Sequence, residues 1–294
     1  MFKSGYVTIA GAPNAGKSTL LNRILGEKVS IISSKPQTTR TRILGVCHRP
    51  GAQIVFYDTP GIFAAGDRFN TRIVETAISS VGDADLLLVV VDAARPDSAA
   101  EGLLAEKVRG QKLPVIIALN KIDLIAEKGE LLAMIHRWSA RRACEAVVPV
   151  SALDGTQVED LVTAIVGALP EGPPYFPEET LTDATERFIA AELIREKIFR
   201  LTGEEVPYAS AVTVEAFKPE AGGKRVRIEA TIHLERDSQK GIVIGRDGAM
   251  LKRIGSEARQ EIERMTGAKV FLKLFVRVQK NWRKDSKAIE RFGY

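Results

Sequence analysis

Five short stretches of this chain carry residue types whose spacing suits chemistry on phosphates, a purine base and a polynucleotide. The first is Gly11-Ala12-Pro13-Asn14-Ala15-Gly16-Lys17-Ser18-Thr19, set between the apolar run Tyr6–Ala10 and a segment to Leu25 whose apolar residues recur at helical spacing. Strand, glycine loop and helix in that order let successive backbone N–H groups converge on one anion at a helix's positive end. In that frame Lys17 is expected to reach the terminal phosphates of a nucleoside triphosphate, and the Ser18 hydroxyl to bind the Mg²⁺ that bridges them. An incidental lysine in a glycine-rich turn would leave the frame unexplained.

Asp58-Thr59-Pro60-Gly61 ends a second apolar run. Asp58 is expected to hold Mg²⁺ through a water, and the Gly61 N–H to touch the γ-phosphate. The polar tract 33–42 supplies Thr38 and Thr39, either of which could place a second hydroxyl on the metal. Asn120-Lys121-Ile122-Asp123 follows a third apolar run and points to the base. A carboxylate accepts paired hydrogen bonds from the ring N–H and exocyclic amine of guanine, whereas adenine leaves it unpaired. Asn120 would hold the loop and Lys121 would lie over the ring. Ser151-Ala152-Leu153, after a fourth run, would give N–H groups of Ser151 and Ala152 to the guanine carbonyl.

The last stretch, Gly245-Arg246-Asp247-Gly248, sits between Ile242–Ile244 and a helical pattern that begins near Ala249. That is the frame of a KH domain, whose GxxG loop clamps the backbone of about four nucleotides of single-stranded RNA. Lys240, Ile244, Gly245, Arg246, Asp247, Gly248, Lys252 and Arg253 are the candidate RNA-binding residues. The glycines allow close approach and the lysines and arginines supply charge.

The elements that must position these residues follow from the pattern of the chain. Strand-like runs alternating with helical segments through residue 169 predict a doubly wound parallel sheet with ligands at the carboxyl ends of its strands. The expected helices include 98–109, 128–142 and 183–201, with strands at 211–217, 225–234 and 269–278. Pro170–Pro177 cannot continue a helix. The expected division is therefore 1–170 for the nucleotide-binding domain, 171–182 for a Pro-rich linker and 183–294 for the RNA-binding domain. The fold class is α/β, a P-loop doubly wound domain, followed by an α+β domain of the type II KH kind. At 294 residues the chain is long enough for two cores.

Residues 1–170 carry 19 basic and 17 acidic side chains, whereas residues 236–294 carry 15 and 7, a net +8. Such a block favours an anionic partner, nucleic acid first and a membrane surface second. Cys47 and Cys144 are too few for a disulfide framework and lack zinc spacing. No apolar run is long enough to span a bilayer, and no signal-peptide pattern precedes the glycine loop.

Taken in order, Gly11–Ser18, Gln37-Thr38-Thr39-Arg40, Asp58–Gly61, Asn120–Asp123, Ser151–Leu153 and Gly241–Ile254 resemble the Era-type GTPases over essentially the full chain. The resemblance implies a GTP/GDP switch that acts in assembly of the small ribosomal subunit. Its KH domain would bind small-subunit ribosomal RNA near the 3′ end. It also implies a monomeric cytoplasmic protein with peripheral contact to the inner membrane. Lys17, Asn14 and Thr39 are the catalytic candidates. In GTPases resembling this chain, an asparagine at the place of Asn14 helps coordinate K⁺ beside the phosphates, so K⁺ joins Mg²⁺ as a candidate cofactor. Ile62 stands where Ras-like proteins carry a water-orienting glutamine, which predicts slow intrinsic turnover. The competing reading is an RNA-binding scaffold whose GTP site is structural.

Overall fold

The computed structural model describes residues 1–63, 68–107, 113–141, 144–203, 205–220, 222 and 224–294. The ends of the helices expected to reach Arg109 and Arg142, part of the tract after Gly61 and part of the turn at 219–223 lie outside them. The described residues form two compact units. One comprises Met1–Ile32 and Thr39–Asp183, the other Ser33–Thr38 and Ala184–Tyr294.

The first unit runs β1 (Lys3–Gly11), α1 (Lys17–Leu25), β2 (Ile43–Arg49), β3 (Ala52–Asp58), α2 (Arg68–Gly82), β4 (Leu86–Asp92), α3 (Ser98–Lys107), β5 (Val115–Asn120), α4 (Lys128–Arg141), β6 (Ala146–Val150) and α5 (Val158–Ala168). Its six strands lie in the order β2-β3-β1-β4-β5-β6. All neighbours are parallel except β2 and β3, a hairpin in register from Ile43↔Asp58 to Arg49↔Ala52. The parallel strands β4 and β5 are buried on both faces, so they read as unbroken apolar runs. One core layer gathers Val7, Ile9, Leu20, Phe56 and Leu88 with Leu161 and Ile165 of α5. The other gathers Ala77, Leu87, Val89, Ile117 and Trp138. The fold thus brings the carboxyl ends of β1, β3, β5 and β6 to one edge, where the glycine loop, Asp58, Asn120 and Ser151 begin.

The stretch expected as a linker is packed along this unit instead. Leu181 O accepts from Val46 N at 2.8 Å and Thr182 Oγ1 donates to Leu44 O at 2.6 Å. The buried Gln53 amide accepts from Tyr175 N at 2.7 Å and Phe176 N at 3.0 Å, and donates to Phe176 O at 2.7 Å.

In the second unit, α6 (Glu186–Leu201), β7 (Ala211–Pro219), β8 (Arg225–Leu234), α7 (Asp237–Ile244), α8 (Ala249–Thr266), β9 (Lys269–Val278) and α9 (Ser286–Arg291) follow in order. The expected start of α6 at Asp183 moves to Glu186 because Thr185 is its N-cap, accepting from Phe188 N at 3.2 Å. The sheet order is β7-β8-β9, with β7 antiparallel and β9 parallel to β8. Lys197 of α6 is ion-paired with Glu196 at 2.6 Å and with Glu261 of α8. Ser33–Thr38 belongs to this unit: the Lys35 ammonium donates to Phe199 O at 2.6 Å, and Arg195 to Thr38 O at 2.5 Å. Among the described residues no helix is long and apolar enough to cross a membrane.

Truncating Gln53 to alanine strips three backbone groups of their partner. A loss of about 2 kcal/mol is expected for the first unit. It is read as a lower urea midpoint by Trp138 fluorescence in a Trp282→Phe background, with Trp282→Phe alone as reference. An unchanged midpoint would mean that Gln53 does not hold the 174–177 segment.

Candidate functional site

The phosphate loop leaves β1 at Gly11 and enters α1 through Gly16, which has φ 94°. A side chain there would meet Asn120 Nδ2 at 2.2 Å, so both conformation and space demand glycine. The Lys17 ammonium folds back onto the loop, donating to Ala12 O at 2.9 Å and Gly11 O at 3.2 Å. Burial pulls its pKa down to about 8, against the opposing pull of the Asp58 carboxylate.

Asp58 is fully buried at the end of β3. Its Oδ2 accepts from Ser18 Oγ at 2.6 Å and Ser30 Oγ at 2.7 Å, and Thr39 Oγ1 lies 2.9 Å from Ser18 Oγ. Burial raises the Asp58 pKa, with those hydroxyls and Lys17 working the other way. Its Oδ1 is buried with no hydrogen-bond partner among the described residues. A buried carboxylate oxygen without a donor, beside two converging hydroxyls, is the donor set of a hard divalent cation and its water. The hydroxyl of Thr38 takes another course, donating to Lys35 O at 2.8 Å.

The base side of the site is built on Asn120, the last residue of β5. Its Nδ2 donates to Ala15 O at 2.8 Å and its Oδ1 accepts from Ala152 N at 2.9 Å. Asp123 Oδ1 accepts from Ser151 Oγ at 2.6 Å, and Lys121 Nζ is paired with Asp92 Oδ2 at 2.5 Å. Arg23 donates from Nε to Ala152 O at 3.2 Å and from Nη2 to Leu153 O. One expectation changes. The Ser151 and Ala152 N–H groups are engaged inside the protein, by Thr156 O and Asn120 Oδ1, and not directed at a base. Ile62 is buried in the core, its N–H bonded to Gly11 O at 3.1 Å.

In the second unit α7 and α8 are joined by Gly245–Gly248, with Arg246 and Asp247 fully exposed at the tip. A groove of ≈ 450 Å³ runs from this loop between α8 and β9, lined by Gly248, Leu251, Lys252, Gly255, Ser256, Arg259, Leu272 and Leu274.

Residues 6–121 match the family model described as "50S ribosome-binding GTPase", and residues 205–283 that described as "KH domain". GTPase Era of Geobacter sp. strain M21 is 55% identical over 293 residues, covering 100% of this chain and 98% of the relative. GTPase Era of Geobacter metallireducens is 53% identical with the same coverage. A crystal structure of Era in complex with MgGDPNP and nucleotides 1506–1542 of 16S ribosomal RNA superposes with a TM-score of 0.96. It is 42% identical, with 100% of this chain and 99% of that one covered. The chain belongs to the Era family of GTPases.

Family membership decides against the scaffold reading: the chain is a GTPase with an N-terminal GTPase domain and a C-terminal KH domain. Within that Era framework, the motif residues Gly11–Thr19, Asp58–Gly61, Asn120, Lys121, Asp123 and Ser151–Leu153 gather at one sheet edge. Of the eight residues singled out for RNA, Gly248 and Lys252 line the groove, and Arg253 is paired with Glu257 at 2.9 Å on the flank. Sequence reasoning missed Ser30, Asp92 and Arg23, and the groove wall formed by Leu272, Leu274 and Arg259. The repeat 248, 252, 255, 259 on one helical face was the available signal for part of that wall.

An anion at Lys17 raises its pKa above about 8, so binding takes up a proton once free Lys17 has begun to deprotonate. GDP affinity at fixed Mg²⁺ should therefore fall as pH rises through about 8, by up to tenfold per pH unit. Lys17→Arg, whose charge persists, should flatten that dependence in calorimetric titrations between about pH 7.5 and 9. Parallel pH profiles for the two proteins would refute the assignment to Lys17.

Proposed function

We propose that the first unit binds GTP with Mg²⁺ and hydrolyses it, and that the KH groove holds single-stranded ribosomal RNA. In this reading the nucleotide state switches the protein during assembly of the small ribosomal subunit. The observation that carries the nucleotide part is the convergence of Ser18 Oγ, Thr39 Oγ1 and Oδ1 of buried Asp58, which has no partner among the described residues, beside Lys17. Ser18 and Thr39 would ligate Mg²⁺ directly and Asp58 through a water, while Thr38 remains occupied with Lys35 O. Bound there, the ion would neutralise charge on the β- and γ-phosphates. Lys17 would leave its loop carbonyls for the phosphate oxygens, gaining a partner that compensates its burial. Asp123, oriented by Ser151, would accept from both N–H groups on the guanine edge, with the Lys121 stem across the ring face. The Leu153 N–H, next along the turn from the engaged Ala152 N–H, is the donor left for the guanine carbonyl.

Two features support the RNA part. The groove opens at the glycine clamp, and residues 236–294 carry a net +8. The related Era of the solved complex holds nucleotides 1506–1542 of 16S ribosomal RNA, which supports the 3′ end of that RNA as the target here. A basic tail also suits an anionic membrane surface, but a clamp with a shaped groove favours a polynucleotide.

Asp123→Asn should shift preference from GTP toward xanthosine triphosphate, because an amide donor opposes a guanine donor but meets the xanthine carbonyl. A competition assay that still favours GTP would sink the guanine assignment.

With Ile62 buried in the core, no amide stands after Gly61 to orient the attacking water. A cation beside the phosphates would offset developing charge instead. Asn14, exposed in the loop with φ 61°, is the candidate residue to help hold it. Hydrolysis is expected to be faster in K⁺ than in Na⁺ at equal ionic strength, and Asn14→Ala to remove the difference while GTP still binds. Equal parental rates in the two salts would exclude the K⁺ mechanism.

A further inference from the structure

Strand β9 has two faces, and the groove uses one. Leu272 and Leu274 point toward α8, where Leu274 Cδ1 would lie 3.3 Å from a side chain placed on Gly255. The alternate residues Lys269, Phe271, Lys273, Phe275 and Arg277 point the opposite way and are all exposed. Phe271 is 58% exposed and Phe275 37%, on the edge strand of a three-stranded sheet. On neighbouring β8 the parallel register sets Arg225 beside Lys269, Arg227 beside Phe271 and Glu229 beside Lys273. These β8 residues belong to the same outward face, because Val226, Ile228 and Ala230 are the buried ones.

The face is not uniformly open. Phe292 packs on His233 with ring centroids 4.4 Å apart, which covers the far end of the sheet. The near end, from Arg225 to Glu229 and from Lys269 to Phe275, has no such cover among the described residues and holds a depression of ≈ 430 Å³ beside Phe271. Its cations are already arranged about the rings: Arg227 lies 5.6 Å from the Phe271 centroid and Lys273 4.8 Å from that of Phe275. Arg227 also pairs with Glu229 at 2.9 Å, and Lys269 reaches Glu263 at 3.7 Å. Both pairs are largely exposed on the cation's side, so they are weak and exchangeable for phosphate.

We propose that this sheet face is a second binding surface for single-stranded RNA, separate from the GxxG groove. Flat exposed rings flanked by cations meet the two needs of an unpaired strand: a stacking platform for bases and charge for the backbone. Phe271 and Phe275 are four residues apart on one strand, about 13 Å, so the bases they take are not adjacent in an extended chain. The unpaired edge of β9 separates groove from face, so an RNA strand leaving the groove has only that edge to round. A protein partner is disfavoured because the patch is dominated by cations and not by a continuous apolar area. The inference rests on the RNA-binding reading of the KH unit given above, and its test separates the two.

The probe is the RNA spanning nucleotides 1506–1542 of 16S ribosomal RNA, shortened stepwise to the shortest fragment the parent still binds. The double variant Phe271→Ala/Phe275→Ala should bind the full RNA at least about tenfold more weakly and the shortest fragment as the parent does. Gly248→Asp should weaken both RNAs, since its side chain intrudes on the clamp. Restoring flat rings with Phe271→Trp/Phe275→Trp should recover the long RNA. Arg225→Gln/Lys273→Gln, which touches no ring packing in the core, should lower the salt slope for the long RNA by about 1.4. Ultraviolet crosslinking of 4-thiouridine-labelled RNA should mark the 269–277 peptide. Parental affinity of the double alanine variant for the full RNA, or an equal loss on both RNAs, overturns the second surface. Failure of the parent to bind any of the RNAs overturns the RNA reading itself.

Discussion

The side chain of Asn120 is the constraint on which the first unit's site depends. One amide group donates to the Ala15 carbonyl and accepts from the Ala152 N–H, and so ties together loops that leave three different strands. Neither bond is possible unless β1, β5 and β6 end level with one another, which the parallel registers from Ile9 to Val150 ensure. The same amide sets the requirement at Gly16, where any side chain would occupy its place. A glycine loop alone is supple. Pinned from behind by a buried amide, it is held in one shape before an anion arrives, which reduces the ordering cost at binding.

The charges of the site are left in a different condition. Lys17 and Asp58 are both buried, and burial displaces both pKa values toward their neutral forms. Loop carbonyls and serine hydroxyls satisfy part of each group, but one oxygen of Asp58 has no donor among the described residues. Each favours the other's charged form, but that attraction does not offset the burial of either. A polyphosphate and a divalent cation would supply the missing partners, and each would make the other's burial less costly. Ligand binding and local stability are coupled here by the same desolvation.

Much of this was legible in the sequence because the parts are local. A phosphate loop, Asp58–Gly61, Asn120–Asp123 and Gly245–Gly248 are each fewer than ten residues long, and each lies where a strand or helix ends. Alternation of apolar runs with helical periodicity was enough to place the first three on one edge of the first unit's sheet. What escaped depends on long-range partners. Ser30 looks like any polar residue before a loop, and only the fold brings its hydroxyl to Asp58. Asp92 simply ended a strand until Lys121 met it. Gln53 read as the polar member of a strand, yet its amide fastens the supposed linker. Adjacent threonines offered the same chemistry. The direction of each hydroxyl, one to Ser18 and the other to Lys35 O, is set by backbone geometry that composition does not encode.

Charge in the second unit follows a related division between holding and presenting. Glu257 makes only an exposed pair with Arg253, but the other acidic residues of α8 are committed to structure: Glu263 to Val270 N and Glu261 to the buried Lys197. They brace the helix that forms one wall of the groove and fix it to α6 and to the start of β9. Of the fifteen basic residues in 236–294, Arg246 stands at the GxxG tip and Lys269, Lys273 and Arg277 on β9, with Lys273 beside the ring of Phe275. A merely solvated basic surface would leave large apolar side chains inside. Here two phenylalanines alternate with lysines on an edge strand whose opposite face already builds a groove. Alternation with period 2 is what lets ten residues of β9 form one wall of that groove and a basic aromatic surface at once.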